Sequence, residues 1–235
     1  TDGPSGLRFD CGTRAFSMPN GTLLGCTFDL PLVEDLYEMA GREMRQNRVD
    51  ALLGPGMNIH RNPLNGRNFE YISEDPYLTG WISAVQILGM EKSDVTGTIK
   101  HCCANNQESN RHHVNAVVSE RALREIYLKG FEIAVKEAQP WTLMTCYNLI
   151  NGRYASERED LLAGILREEW GFEGMVTTDW WNKAYQYKEI KAGNDLKMGS
   201  GDPDEVLTAL KEGKVTRAEI ETCAARILET IMKLD

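Results

Sequence analysis

Four groups of residues along the chain are of types that do chemistry, and each sits at the end of a short apolar run. Arg61 and Arg67 come after Ala51–Leu53, and Lys100-His101 close the run Thr96–Ile99. Tyr147 follows Thr142–Thr145, and Asp179-Trp180-Trp181 follow Met175–Thr178. An aspartate flanked by indoles can attack an electrophilic carbon while an aromatic face packs on a sugar ring. Arg and Lys nearby favour the ionised carboxylate. With the histidine, they also donate hydrogen bonds to hydroxyls. Such a set suits an uncharged, polyhydroxylated substrate, whereas Asp179 would repel a phosphate.

Each group also has an ordinary reading. Arg61 or Arg67 can simply pair with Glu70 or Glu74. Lys100 can be a solvated side chain on a strand end, and His101 and Tyr147 can be structural. Asp179 can cap a helix, and the two indoles can merely pack. These readings need independent coincidences at the same end of successive strands; the chemical reading needs one. Adjacent His112-His113 are badly placed for chelation and read as a solvated loop. No HExxH, facial triad or aspartate cluster points to a metal, and no cofactor is expected. Gly199-Ser200-Gly201 offers a weak phosphate loop and reads better as a turn into a helix cap.

The elements that must position these groups are short strands alternating with amphipathic helices. Strands are expected at Thr22–Cys26, Ala51–Leu53, Thr96–Ile99, Thr142–Thr145, Met175–Thr178 and Asp195–Met198. All are apolar without clean alternation, as in parallel strands covered on both faces. Asp75-Pro76 opens a helix toward Met90. Ser156 with Glu159 reads as a capping box before Leu161. Asp202-Pro203 opens a helix that Gly213 stops. Thr216 with Glu219 starts a last helix, in which Ile220, Ile227, Leu228, Ile231 and Leu234 mark a buried face.

This order predicts a parallel α/β fold, a (β/α)8 TIM-like barrel, with an open doubly wound sheet as the alternative. No G-x-G-x-x-G follows an early strand, which counts against a dinucleotide site. Residues 1–235 carry no repeat or linker and read as a single domain. At 235 residues the chain is slightly short of the roughly 250 of a complete barrel. The expectation is an incomplete barrel or a fragment of a larger two-domain enzyme. The stretch from Trp181 to Glu189 also looks short for a full helix.

Composition narrows the function further. Against 35 Asp+Glu stand 26 Lys+Arg, a net charge of −9, and no basic stripe offers a nucleic-acid surface. No run approaches the roughly 18 apolar residues of a membrane span, and no signal peptide opens the chain. Six cysteines without C-x-x-C spacing predict reduced, mostly buried thiols and a cytoplasmic location.

Several segments then carry a resemblance: Asp2–Arg8, Gly54–Arg61, Gly66–Pro76 (GRNFEYISEDP), Lys100-His101, Ser119–Leu123 (SERAL), Met144–Gly152, Trp170–Trp181 (WGFEGMVTTDWW) and Ala192–Met198. In this order they resemble the barrel domain of glycoside hydrolase family 3, of the bacterial β-glucosidase type. The resemblance implies that Asp179 is a nucleophile forming a covalent glycosyl-enzyme intermediate with retention. It implies that Asp2, Arg67, Lys100, His101 and Tyr147 line the sugar subsite and that Trp180 packs against the ring. It also implies a small β-glucoside or cello-oligosaccharide substrate. In that family's β-glucosidases a second α/β sandwich domain supplies the acid/base Glu, so another domain or chain is expected as partner. Of the nearby carboxylates, Glu70 and Glu74 read as structural and Glu108 does not match the family's acid position. A single-domain branch uses a His-Asp pair after Lys-His, but the loop Cys102–Glu108 lacks that pattern. Exposed barrel ends add the expectation of a homo-oligomer. The resulting reading is a retaining, exo-acting β-glycosidase releasing terminal non-reducing β-D-glucosyl residues. The alternative is a catalytically incomplete carbohydrate-binding barrel that depends on another chain or domain for its acid/base.

Overall fold

A wall of short parallel strands carries the molecule, and helices cover its outer face. The computed structural model describes residues 1–3, 5–9 and 14–234; Pro4 and Cys11 lie outside these. In chain order the elements are α1 (Gly21–Thr27), α2 (Leu30–Gln46), β1 (Ala51–Leu52), α3 (Pro76–Glu91), β2 (Thr96–Cys102) and β3 (Asn115–Ala116). Then come α4 (Glu120–Ala122), a π-helical turn (Leu123–Tyr127), α5 (Lys129–Ala138), β4 (Thr142–Thr145), β5 (Leu149–Ile150) and β6 (Arg153–Tyr154). A π-helical segment (Asp160–Glu169), β7 (Met175–Thr178), α6 (Gln186–Ala192), α7 (Pro203–Lys211) and α8 (Arg217–Met232) complete it.

The main sheet has the order β1-β2-β4-β7, parallel throughout. Isolated parallel bridges extend it at both edges, Asp2 to Leu53 and Leu196 to Thr177. This is the wall of a TIM-like α/β barrel; among the described residues its four strands and two edge bridges fall short of eight. Side chains alternate as the pleat requires. Leu52, Ile99, Leu143 and Val176 point outward into the helix-covered core and are at most 3% exposed. Ala51, Leu53, Thr98, Lys100, Thr142, Met144, Met175, Thr177 and Asp179 line the concave side, where a trough of about 700 Å³ opens into a smaller cavity at the strand ends.

The helix α3 is buried nearly all round because it is wedged between α2, α5 and the sheet. Two glycines allow that approach. A Cβ at Gly80 would sit 2.7 Å from Ile133 of α5, and one at Gly89 would sit 2.4 Å from the Glu34 carbonyl of α2. Asp75 caps α3 as expected, accepting from the Tyr77 amide at 2.8 Å.

Three local expectations are corrected. Thr22–Cys26 is not a strand but lies within α1, which the Asn20 side chain caps by accepting from Leu23 N–H. Asp195–Met198 is no regular strand and meets β7 through the isolated Leu196 bridge and the hydrogen bonds of Asp195 and Met198 beside it. Ser156 and Glu159 make no capping box: Ser156 Oγ donates instead to the Glu189 carboxylate at 2.9 Å. The box at Thr216 and Glu219 does form. The face of α8 is only partly the expected one: Ile220 and Ile227 are half-buried, Ile220 packing against the cluster that includes Ile190 and Cys223. Cys223, Arg226 and Thr230 turn inward, because Arg226 reaches buried Asp195, which leaves Leu228 and Ile231 exposed. Asp179 accepts from the Trp180 amide but caps no helix. The six residues 180–185 lead directly into the seven-residue α6. Of the described cysteines, Cys102, Cys103, Cys146 and Cys223 are buried free thiols and Cys26 is exposed. Among the described residues no helix is long and apolar enough to cross a membrane.

At the far end of α3, burial pushes the Glu91 carboxyl up to about 7, against the lowering effect of the Thr96 hydroxyl and Lys233. A group whose folded pKa is raised binds its proton more tightly folded than unfolded, so stability falls as pH rises between the two values. The parent is therefore expected to lose stability from about pH 4.5 to 7 relative to Glu91→Gln. The amide retains an acceptor for the Thr96 hydroxyl, 3.0 Å away in the parent. Urea denaturation of both proteins across that range checks this; parallel curves would refute it.

Candidate active site

The cavity at the strand ends measures about 260 Å³ and is lined by Asp2, Arg8, Leu53, Arg67, Lys100, His101, Arg111, Met144, Tyr147, Asp179 and Trp180. It brings together every residue that the resemblance places at the site, whereas Arg61 lies away from it, 5.9 Å from the Tyr127 ring centre. Arg8 and Arg111 join them. Arg111 was not legible as a site residue because it lies in the loop between β2 and β3, with no strand register to place it.

Lys100 and His101 are neighbours in β2, and a regular strand would send them to opposite faces. The pairing of β2 with β4 shifts between Ile99 and Cys102, and such irregularities re-aim side chains. Both therefore reach the cavity. Asn58 holds this place: its Oδ1 accepts from the His101 amide at 3.0 Å, and its Nδ2 donates to the His101 carbonyl at 2.9 Å.

Lys100 is not the solvated side chain of the ordinary reading. It is 4% exposed and its Nζ donates to Asp2 Oδ1 at 2.8 Å. Burial alone would raise the Asp2 carboxyl, but Lys100, the Gly3 amide and Arg8 bring it below its usual value. Arg67 satisfies both of its readings. Nε and Nη2 donate to Glu70 Oε1 at 3.0 and 2.6 Å while the guanidinium lines the cavity. The loop that carries it is fastened by His60, whose Nε2 lies 2.9 Å from the Asn68 carbonyl. Tyr147 is wedged between the Arg111 guanidinium, 4.6 Å from its ring centre, and the His112 ring at 4.2 Å. Trp180 and Trp181 are 41% and 62% exposed, with ring centres 5.6 Å apart. They form an open aromatic surface at the mouth of the site.

At the centre is Asp179, whose side chain is 8% exposed. One oxygen accepts from the Trp180 amide at 2.8 Å. Oδ2 is buried without a hydrogen-bond partner among the described residues, and His101 Nε2 lies 3.5 Å from it. Complete burial and the nearby cations Arg67, Lys100 and Arg111 hold the His101 imidazole well below its ordinary pKa. It is therefore a neutral hydrogen-bonding group. Burial also raises the Asp179 carboxyl. The Trp180 amide, Tyr147, Arg67 and Lys100 pull in the opposite direction, as expected from their charge and polarity, but burial outweighs them. The result is a carboxylate more basic than an ordinary one.

Among the described residues Asp2 is the only other carboxylate that lines the cavity, and Lys100 holds it ionised. Glu108 is engaged by Arg111 at 2.9 Å and by Asn105 at 3.2 Å. Glu70 is tied to Arg67. Among the described residues no group of three or more His, Cys, Asp or Glu is arranged to hold a metal.

This geometry has close counterparts. The family model described as the glycosyl hydrolase family 3 N-terminal domain matches residues 5–230. The chain belongs to that family. A β-glucosidase of Ruminococcus albus is 51% identical to this family 3 domain, covering 99% of the chain and 26% of the relative. An exo-α-(1→6)-L-arabinopyranosidase of Bifidobacterium breve is 40% identical, covering 99% of the chain and 32% of the relative. The solved structure of β-glucosidase 3B from Thermotoga neapolitana in complex with glucose superposes with a TM-score of 0.94 at 44% identity, covering 99% of the chain and 35% of that structure. The family 3 domain thus spans about a quarter to a third of the length of these relatives.

Proposed function

We propose that the full-length protein is a retaining, exo-acting β-glycosidase, specifically a β-glucosidase hydrolysing terminal non-reducing β-D-glucosyl residues. The observation that carries this reading is the buried Asp179 carboxylate, its Oδ2 3.5 Å from His101 Nε2 and Tyr147 beside it, inside a cavity of hydrogen-bonding side chains. In the proposed mechanism, Oδ2 attacks the anomeric carbon as the bond to the leaving oxygen breaks. Asp2, Arg67, Lys100, His101 and Tyr147 bind the ring hydroxyls, and Trp180 packs on the ring. Retention calls for a second carboxyl about 5–5.5 Å from the first, protonating the leaving oxygen and then activating water. A second α/β sandwich domain or chain supplies that Glu, since no lining carboxylate here is suited to the role. The small volume of the cavity favours a single terminal residue over the interior of a chain.

The lack of an internal acid also favours a second reading, a carbohydrate-binding barrel without turnover. A 2-deoxy-2-fluoroglucoside with a good leaving group separates the two in the full-length protein. Stoichiometric labelling, mapped by peptide mass spectrometry to Asp179, is the expected result. Sugar binding without labelling would establish the binding module, and a label elsewhere would remove Asp179 as nucleophile. The relative named for an arabinopyranosidase makes the choice of sugar a separate test, by comparing aryl glucoside with aryl arabinopyranoside.

A further inference from the structure

We propose that Lys197, with Glu189, is a positioning residue that sets the aromatic surface of Trp180 and Trp181 and thereby substrate affinity. Both charges are buried, at 10% and 1% side-chain exposure, and lie 2.9 Å apart. Lys197 Nζ uses all three of its donors: on Glu189 Oε2, on Asn182 Oδ1 at 2.7 Å and on the Ala184 carbonyl at 2.8 Å. Glu189 Oε1 in turn accepts from Ser156 Oγ at 2.9 Å and Asn182 Nδ2 at 2.5 Å. Two of the three Lys197 contacts therefore fall on the loop that carries the tryptophans away from Asp179. On the outer side of that loop Trp180, Trp181 and Tyr185 are all exposed, and the Tyr185 amide donates to Glu157 Oε1 at 2.9 Å.

The loop needs such an anchor. Trp181 sits in the left-handed region, at φ 52°, where a bulky residue persists only if its surroundings over-determine it. Its amide donates to the Met198 carbonyl at 3.2 Å, one residue from Lys197. Its ring lies so close to Gly199 that a Cβ there would be 2.7 Å from it. The segment Lys197–Gly199 thus fixes the loop from below through backbone, charge and shape, and the Asp179–Trp180 hydrogen bond sits at the loop's first residue. Without the lysine, the platform loses its fixed distance from the nucleophile. Ground-state binding suffers more than bond breaking, because Asp179 itself is held by β7.

The kinetic half of this proposal rests on the glycosidase reading; the structural half does not. The test uses the full-length protein labelled with fluorotryptophan, with the Trp180 and Trp181 resonances assigned from Trp→Phe variants. In Lys197→Met both resonances are expected to shift toward the free-indole position. KM for an aryl β-glucoside should rise about tenfold or more, with kcat changed less than about threefold. The double variant Lys197→Met/Glu189→Gln removes the charge left unpaired by the single change, so its melting temperature is expected to recover. Its KM should stay raised. If KM recovers together with the melting temperature, the pair is merely structural and the proposal is wrong. Unmoved tryptophan resonances in both variants would overturn it whatever the kinetics. Shifted resonances in a protein whose parent neither binds nor hydrolyses glucosides would uphold the anchor and reject the glycosidase reading.

Discussion

Asparagine in place of Asp179 is expected to reduce hydrolysis of an aryl β-glucoside by the full-length protein by about three orders of magnitude or more. In transition-state terms that is on the order of 4 kcal/mol. The amide cannot form the glycosyl ester, yet its oxygen can still accept from the Trp180 amide, 2.8 Å from Asp179 Oδ1 in the parent. Folding should not suffer. Burial works against the ionised Asp179, so a neutral isostere relieves desolvation at a site that trades stability for reactivity. The informative result is therefore a pair: turnover collapses while the melting temperature holds or rises. Near-parent rates would refute the nucleophile assignment, and a large loss of stability would make Asp179 a structural residue.

Asp195 should behave in the opposite way. Its side chain is fully buried between Arg167 Nη2 at 2.8 Å and Arg226 Nη1 at 3.1 Å, and Oδ2 also accepts from the Val176 amide at 2.8 Å. It ties β7, the π-helical segment before it and α8 to one point. Burial raises the Asp195 carboxyl and lowers Arg167, so each charge is costly to bury and tolerable only because of the other. Asp195→Ala takes the carboxylate from both guanidiniums and leaves Arg167 with only the Phe172 and Gly174 carbonyls, at 3.3 and 3.0 Å. It is expected to cost about 3–5 kcal/mol, as for other broken buried pairs, a large share of a typical domain's roughly 5–15. Chemical denaturation reads this directly. A loss under about 1 kcal/mol would mean that water replaces the carboxylate and that the triad is not what holds α8 in place.

These two aspartates also show what a sequence reveals. Asp179 was legible because it ends an apolar run, as Lys100 and Tyr147 do, and because strand ends converge in a parallel barrel. The resemblance then gave each residue a role. Asp195 carried no such signal, since its partners are 28 and 31 residues away and only tertiary packing joins them. The strand expected at Thr22–Cys26 failed for a local reason. A five-residue apolar run suits either element, and the cap at Asn20 with packing against α3 decided for helix. The face of α8 follows its hydrophobic periodicity only in part, with Ile220 and Ile227 half-buried but Leu228 and Ile231 exposed. Arg226 is the residue that turns inward, drawn by a buried partner that the helix's own periodicity does not reveal.

The irregularity in β2 has a consequence for how the wall tolerates change. Elsewhere each strand offers the cavity one side chain in two, and a neighbour can mutate on the far face without being felt there. Between Ile99 and Cys102 that insulation is gone. Consecutive side chains serve the same enclosure, and the thiols of Cys102 and Cys103 directly behind them are packed to zero exposure. Substitutions behind this strand should therefore reach the cavity through the backbone, making β2 the least forgiving stave of the barrel.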